Sequence, residues 1–366
     1  MKPVANRSVS KTLHRSLLCA LVTLGMTATM ERELLAASGT PTESQTVQPI
    51  RSSTRTPLHK AIELGELEVA MQLVATGQDI NVPDSFGLVP LHFAVIQGNA
   101  SLVKALLDKG AEVNHRDQRG DTALHMIAAN SGSEELTRLL LGKGAKPDIR
   151  NRTGQTPLHW IAAEGKLGLA RLMLTAKADI NLQDETGDTP LQWAAEAGHD
   201  KMVALLVENG ADPNLANALG RTPLYWAARS GDIPMAEYLF AMKAKLDVRS
   251  TTGDTPLHWA AGEGHGAMVK FLIRWASDIN PTAEYQETPL HWAAMHGQEE
   301  VTAILLAHGA NLEAKDKVGN TPMALAKQKG HEAVVKLLAA RENALKTAKN
   351  GSSSLRVAAN RPNLEP

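Results

Sequence analysis

The sequence predicts an all-α helix-turn-helix solenoid with short β-hairpin-like loops. Three observations carry this reading. A motif opened by Thr56, Val89, Thr122, Thr156, Thr189, Thr222, Thr255, Thr288 and Thr321 recurs every 33 residues, with one interval of 34. A fixed period of that length is the signature of stacked repeats. At its fullest the motif reads Thr-Pro-Leu-His-Trp, at 156–160, 255–259 and 288–292, which is a cap followed by proline in the first helical turn. Apolar residues at helical spacing follow it, as in Val203, Leu205 and Leu206 or Val301, Ile304 and Leu305.

From the N-terminus, residues 1–38 read as a signal peptide. Lys2, Arg7, Lys11 and Arg15 give a basic start, and the uncharged stretch from Leu17 to Met30 is mostly apolar. It is shorter than the roughly 20 residues that span a bilayer, and matches the apolar core of a leader. Ala36-Ala37-Ser38 supplies small residues for cleavage, although Glu31, Arg32 and Glu33 intervene. An uncleaved amphipathic start is the alternative. Cleavage places the protein in the periplasm or outside the cell; without it the chain is cytoplasmic. Cys19, the only cysteine, lies in this segment, so a mature chain has no disulfide to depend on. Losing residues 1–38 removes five basic and two acidic side chains, moving the net charge from −1 to −4. Neither value suits a nucleic-acid surface, and no membrane insertion is expected once the leader is gone.

Residues 39–53, rich in Thr, Ser, Gln and Pro, read as a flexible linker, and the repeats occupy about 54–340. Within each unit, Leu at the third motif position begins the buried face. Paired alanines (Ala194-Ala195, Ala227-Ala228, Ala260-Ala261) allow close helix approach. A glycine such as Gly165, Gly198 or Gly297 permits the turn to the second helix. Gly-Ala then closes the unit, and a loop tip such as Asp117-Gln118-Arg119-Gly120 leads to the next. Lys60 in the first unit and Lys327, Lys329 and Lys336 in the last suit polar end caps. Residues 341–366, with a Gly-Ser-Ser-Ser run and two prolines, read as a disordered tail.

Several features that could carry chemistry have plainer readings. Trp160, Trp193, Trp226, Trp259 and Trp292 share one motif position, where each ring would bury ~150–250 Å² between layers. Core packing is the expected role; an aromatic track for a glycan or small molecule is the alternative. His59, His92, His125, His159, His258 and His291 fall one per unit. Zinc ligands must converge to about 2.0–2.1 Å from one ion, so this row predicts backbone hydrogen bonds and no metal. Gly262-Glu263-Gly264-His265-Gly266 looks like a phosphate loop but lies between two helices, the wrong context. No HExxH, Walker-type lysine or GxSxG elbow occurs. The expectation is a protein without catalytic residues or cofactor.

The 33-residue period with Thr-Pro-Leu-His-x-Ala resembles the ankyrin repeat family, over about 54–340 and in nine repeats. The tryptophans stand where such repeats usually place leucine, and His199, His265 and His331 stand where the family commonly has histidine. The resemblance implies an ankyrin-type stack whose loop tips and first helices line a concave face that binds partners. The tip positions are Phe86, Leu88, Arg119, Arg152, Glu185, Leu219, Arg221, Thr252, Tyr285 and Glu287; the helix positions are Ile96, Gln97, Glu164, Arg229, Met295 and His296. Phe86, Leu88, Leu219 and Tyr285 are expected to be exposed and to matter most. Lys177, Lys243 and Ala276 replace a capping glycine and Gln286 a tip glycine, so Trp275 and Tyr285 are expected to form a local hot spot. The functional expectation is a monomeric protein-binding scaffold or adaptor. A glycan or small-molecule binder, or a regulatory subunit or inhibitor of a separately encoded enzyme, are the alternatives.

Overall fold

The structure, a computed structural model, describes residues 55–130, 132–275 and 278–359, with side chains through Thr347. The leader, the linker and the last seven residues fall outside the described residues. Eighteen helices occur among the described residues, in consecutive pairs. They are α1 (Pro57–Glu63) with α2 (Leu67–Thr76), α3 (Pro90–Ile96) with α4 (Ala100–Asp108), and α5 (Ala123–Ala129) with α6 (Glu134–Gly142). Next come α7 (Pro157–Ala163) with α8 (Leu167–Thr175) and α9 (Pro190–Glu196) with α10 (Asp200–Glu208). Then follow α11 (Pro223–Ser230) with α12 (Ile233–Ala241) and α13 (Pro256–Glu263) with α14 (Gly266–Trp275). Last are α15 (Pro289–Met295) with α16 (Glu299–Ala307) and α17 (Pro322–Lys329) with α18 (Glu332–Ala359). The chain divides into two compact units at Ala211, the first ending after α10 and the second beginning before α11. In each unit first helices pack on neighbouring first helices and second on second. Among the described residues, no helix is long and apolar enough to cross a membrane.

The first helices start where the sequence says they should, and the histidine explains how. In the second unit, Thr255 caps α13 and Pro256 occupies its first turn. The His258 ring turns back so that Nδ1 accepts the Thr255 N–H at 3.1 Å, satisfying a donor the helix leaves free. His59, His125, His159 and His291 repeat that bond at 3.0–3.2 Å. Second helices bury paired rows: Leu102, Val103, Leu106 and Leu107 in α4, and Met268, Val269 and Leu272 in α14. In several pairs the residue after the inter-helix glycine ties the pair to the one before, while Asn99 and Asp232 at that position cap their own second helices. His199 faces Ala163 O at 3.0 Å, His265 faces Arg229 O at 3.0 Å, and Gln298 donates to Gly262 O at 2.9 Å.

Each loop tip is a tight reversal. Asp117 N–H donates to Asp121 O and Gly120 N–H to Asp117 O, both at 2.9 Å, while Asp117 Oδ1 accepts from the Arg119 and Asp121 amides at 2.8 Å. Successive tips lean on each other: a Cβ on Gly154 would lie 2.8 Å from Glu185 N, so only glycine fits. The tip at 283–287 lacks both devices, having Ala283 for the acceptor and Gln286, at φ 58°, for the glycine.

Three expectations need correction. Residues 341–359 do not form a loose tail: α18 continues through Ala359, and Ala340-Arg341-Glu342-Asn343-Ala344-Leu345-Lys346 is, Asn343 apart, a run of good helix formers with Glu342 paired to Lys346. Leu88 is buried, at 5% exposure, not presented. Its position follows the tip glycine, and Asp121, Asp188 and Asp254 at the same position are buried too, because the chain there has turned back under the first helix. The first pair is not a polar cap either: Lys60 is exposed, but so are Leu64, Leu67, Val69 and Met71.

Candidate protein-binding face

Most of the positions that the sequence singled out at the tips and first helices are exposed or half-buried, Leu88 excepted. In the first unit Phe86, Arg119, Arg152, Glu185, Gln97 and Glu164 are exposed and Ile96 is half-buried. Arg119 is already engaged, its Nε lying 3.3 Å from Asp121 and 3.6 Å from Asp117 carboxylate oxygens. In the second unit Leu219, Thr252, Tyr285 and His296 are exposed, while Arg221, Arg229, Glu287 and Met295 are half-buried.

The expected pairing of Trp275 with Tyr285 is not what the structure builds. Trp275 stacks on Phe240 at 5.3 Å, a contact between second helices α14 and α12, with the Arg274 guanidinium 5.0 Å from its ring. Tyr285 sits at a loop tip, with Lys317 Nζ 5.4 Å from its ring. The two therefore belong to different surfaces.

A denser cluster lies on the first-helix side of the second unit. Arg221 lies over Tyr225 at 4.7 Å and Trp259 at 5.4 Å; Arg229 lies over Trp226 at 5.8 Å and Trp259 at 5.3 Å. Trp259 meets Trp292 edge to face at 5.5 Å. Such guanidinium–ring contacts contribute about 0.5–2 kcal/mol each, more where water is excluded. Asp254 anchors the cluster from below, accepting from Trp259 Nε1 at 2.7 Å and the Tyr225 hydroxyl at 2.8 Å. Burial opposes ionisation of Asp254, but donors from Ser250, Thr252, Trp259 and Tyr225 outweigh it and hold the carboxyl below its ordinary value. Burial, reinforced by that carboxylate, pushes the Tyr225 phenol well up, so it stays a hydrogen-bond donor.

Between Trp259 and Trp292 opens a cleft of about 250 Å³, completed by Gly262, Glu263, Met295 and His296. Gly262 makes it possible: a Cβ there would stand 3.2 Å from Trp292 Cε3. The tryptophans are thus not uniformly core. Trp193 and Trp226 are buried, but Trp160, Trp259 and Trp292 keep an accessible edge. Sequence reasoning found Met295 and His296 and missed the cleft. The signal was the tryptophan at motif position five with glycine three residues later, one turn along the same helix face.

The histidine row is absorbed by the backbone. His258 Nε2 faces Glu287 O at 3.1 Å and His291 Nε2 faces Asn320 O at 3.2 Å, while each Nδ1 holds its own helix cap. The sequence model for ankyrin repeats (three copies) matches residues 17–117, 91–184, 161–250 and 240–316. No curated protein matches the chain.

Proposed function

The chain belongs to the ankyrin-repeat family, and from that premise we propose that it is a non-enzymatic scaffold or adaptor, holding a protein partner against its loop tips and first helices. Ankyrin repeats are in general protein-interaction modules. The observation that carries the reading is the Trp259–Trp292 cleft with Arg229 beside it. Half-buried tryptophan, methionine and arginine around a depression are the composition of an interface hot spot. Phe86, Leu219, Tyr285 and Thr252 supply further accessible contacts at the tips.

Affinity capture with the full chain as bait, beside a bait carrying Arg229→Ala and Met295→Ala, tests it. A partner held by the native chain and lost by the double variant is the expected result. Equal capture by both folded baits overturns the assignment of this face. A second reading has one observation in its favour, the accessible edges of Trp160, Trp259 and Trp292: these rings suit a sugar or another small planar ligand. Saturable change of tryptophan emission on adding oligosaccharides, with no protein captured, would favour it.

A further inference from the structure

The layer opened by Thr222 is short of hydrogen-bond acceptors. In other repeats the indole N–H meets a side-chain oxygen of its own loop. Trp160 Nε1 donates to Gln155 Oε1 at 2.7 Å, Trp193 Nε1 to Asp184 Oδ2 at 3.1 Å, and Trp259 Nε1 to Asp254 Oδ2 at 2.7 Å. For Trp226 the two corresponding positions hold Asn217 and Arg221. Asn217 Oδ1 already accepts the Leu219 and Arg221 amides at 3.0 Å, and an arginine side chain has no acceptor to offer. Trp226 Nε1 is buried without a hydrogen-bond partner.

The same layer is rich in positive charge. Arg221 and Arg229 both lie against the Trp259 ring, at 5.4 and 5.3 Å, and Arg229 also lies over Trp226 at 5.8 Å. Arg229 is half-buried, and its guanidinium pairs with no carboxylate among the described residues. Asp254, beneath the cluster, has both oxygens engaged: Oδ2 by Trp259 and Tyr225, Oδ1 by Ser250 and Thr252. One and two repeats further on, the position of Arg229 holds Gly262 and Met295, so neither following layer repeats the charge. Two guanidiniums drawn to one indole repel each other, and an anion beside them relieves that repulsion through charge-assisted, two-pronged hydrogen bonds.

We infer that the partner brings a carboxylate to this layer: an aspartate or glutamate side chain accepts from the Arg229 guanidinium while an apolar neighbour enters the Trp259–Trp292 cleft. The inference rests on this face being the protein-binding one, and adds the chemistry of what it holds. The cleft beside the same Trp259 ring, completed by Met295, selects a peptide carrying both groups over a lone anion. Stacking on Trp226 and Trp259 holds the guanidinium in place beforehand, so little side-chain freedom is lost on pairing.

A phage-displayed library of random linear peptides, selected on the full chain, supplies the probe. Enriched peptides are expected to share an aspartate or glutamate beside an apolar residue. Made synthetically with that acid changed to its amide, they should bind the native chain roughly tenfold or more weakly. Arg229→Met, which keeps the length of the side chain and removes its charge, should weaken the acidic peptide by a similar factor. It should leave the amide peptide unmoved, since the two changes delete one contact. Peptides released by Met295→Ala but indifferent to Arg229→Met and to the amide would overturn the carboxylate and leave the face standing. Peptides indifferent to both protein substitutions, or a library from which nothing is enriched, would overturn both readings.

Discussion

His258 and Glu287 lie 29 residues apart, yet the His258 Nε2 stands 3.1 Å from the Glu287 backbone oxygen. The same ring accepts the Thr255 amide through Nδ1 at 3.1 Å. A carbonyl can only accept and an amide can only donate, so the ring must be neutral with its proton on Nε2. One side chain thereby caps its own helix and ties it to the next loop. Protonation would set an N–H against an N–H and break the cap.

Acid should therefore loosen the stack well above the carboxylate range. Burial lowers the pKa of His92 to about 3 and of His125 and His258 to about 4, and lowers those of His59 and His291 as well. In the unfolded chain each titrates near 6.5. Between about 4 and 6.5 the unfolded chain takes up protons that the folded chain refuses, so unfolding free energy rises with pH across that window. The contribution is complete above 6.5 and is lost as pH falls, by up to ~1.4 kcal/mol per pH unit for each such histidine. The raised carboxyl of Asp117, pushed up by burial and then by Asp121, works in the opposite sense. Urea midpoints at pH 7.5, 6 and 5 check the balance; a flat profile would contradict the neutral-histidine ladder.

Substitution should separate the cap from the ring. Gln192 occupies the histidine position in α9, and its Oε1 accepts the Thr189 amide at 2.8 Å. His258→Gln is expected to cost less than ~1 kcal/mol. His258→Ala, which strands the Thr255 amide and the Glu287 carbonyl, should cost about 2–4 kcal/mol. Thermal melts of the two variants decide this. The glutamine variant should also lose part of the acid sensitivity.

Where the sequence departs from glycine, the backbone does not. Lys177 at φ 64° and Lys243 at φ 68° hold left-handed conformations at the ends of second helices, and Gln286 at φ 58° does so at a tip. A side chain there costs ~1–2 kcal/mol, partly offset by the greater freedom glycine gives the unfolded chain. Lys177→Gly and Lys243→Gly should each stabilise by about 0.5–1 kcal/mol in urea melts. A loss of stability would mean that these lysines make contacts that outweigh the strain.

The converse substitution should be punished only where a neighbour is close. Gly154→Ala would bring a Cβ to 2.8 Å from Glu185 N at φ 75°, whereas Gly98→Ala, at φ 74°, meets nothing within 4 Å. Backbone strain is common to both and crowding belongs to one. The expected losses are about 1 kcal/mol for Gly98→Ala and ~2–4 kcal/mol for Gly154→Ala. Equal losses would show that the tips yield.

The helices and their caps were legible because each depends on neighbours a few residues away: Thr255, Pro256 and His258 lie within one turn. The site was only partly legible because exposure depends on residues one repeat distant. Nothing local in Trp259 or Trp292 says that their edges are open; that follows from Gly262 facing Trp292 across a layer. Leu88 misled for a related reason. Its place beside a tip glycine suggests display, but its amide donates to Asp84 Oδ1 at 3.0 Å and its carbonyl meets His59 Nε2 at 3.0 Å, which turns the side chain inward. The exposed Val69 needed the structure altogether, since its sequence is that of any interior layer.

Gly262 is the point where stability and binding should part company. It lies inside α13, where alanine is favoured over glycine by up to ~1 kcal/mol. An added methyl would stand 3.2 Å from Trp292 Cε3, so the ring must give way by a few tenths of an ångström. The two effects oppose each other, and Gly262→Ala should change the urea midpoint little, by less than ~1 kcal/mol. Gly262→Leu would fill the cleft between Trp259 and Trp292 and should abolish partner capture in a protein that still folds, as judged by far-ultraviolet circular dichroism and a cooperative urea transition. Capture that survives a folded Gly262→Leu chain would remove the cleft from the interface and leave the loop tips, with Leu219 and Tyr285 foremost, as the surface that binds.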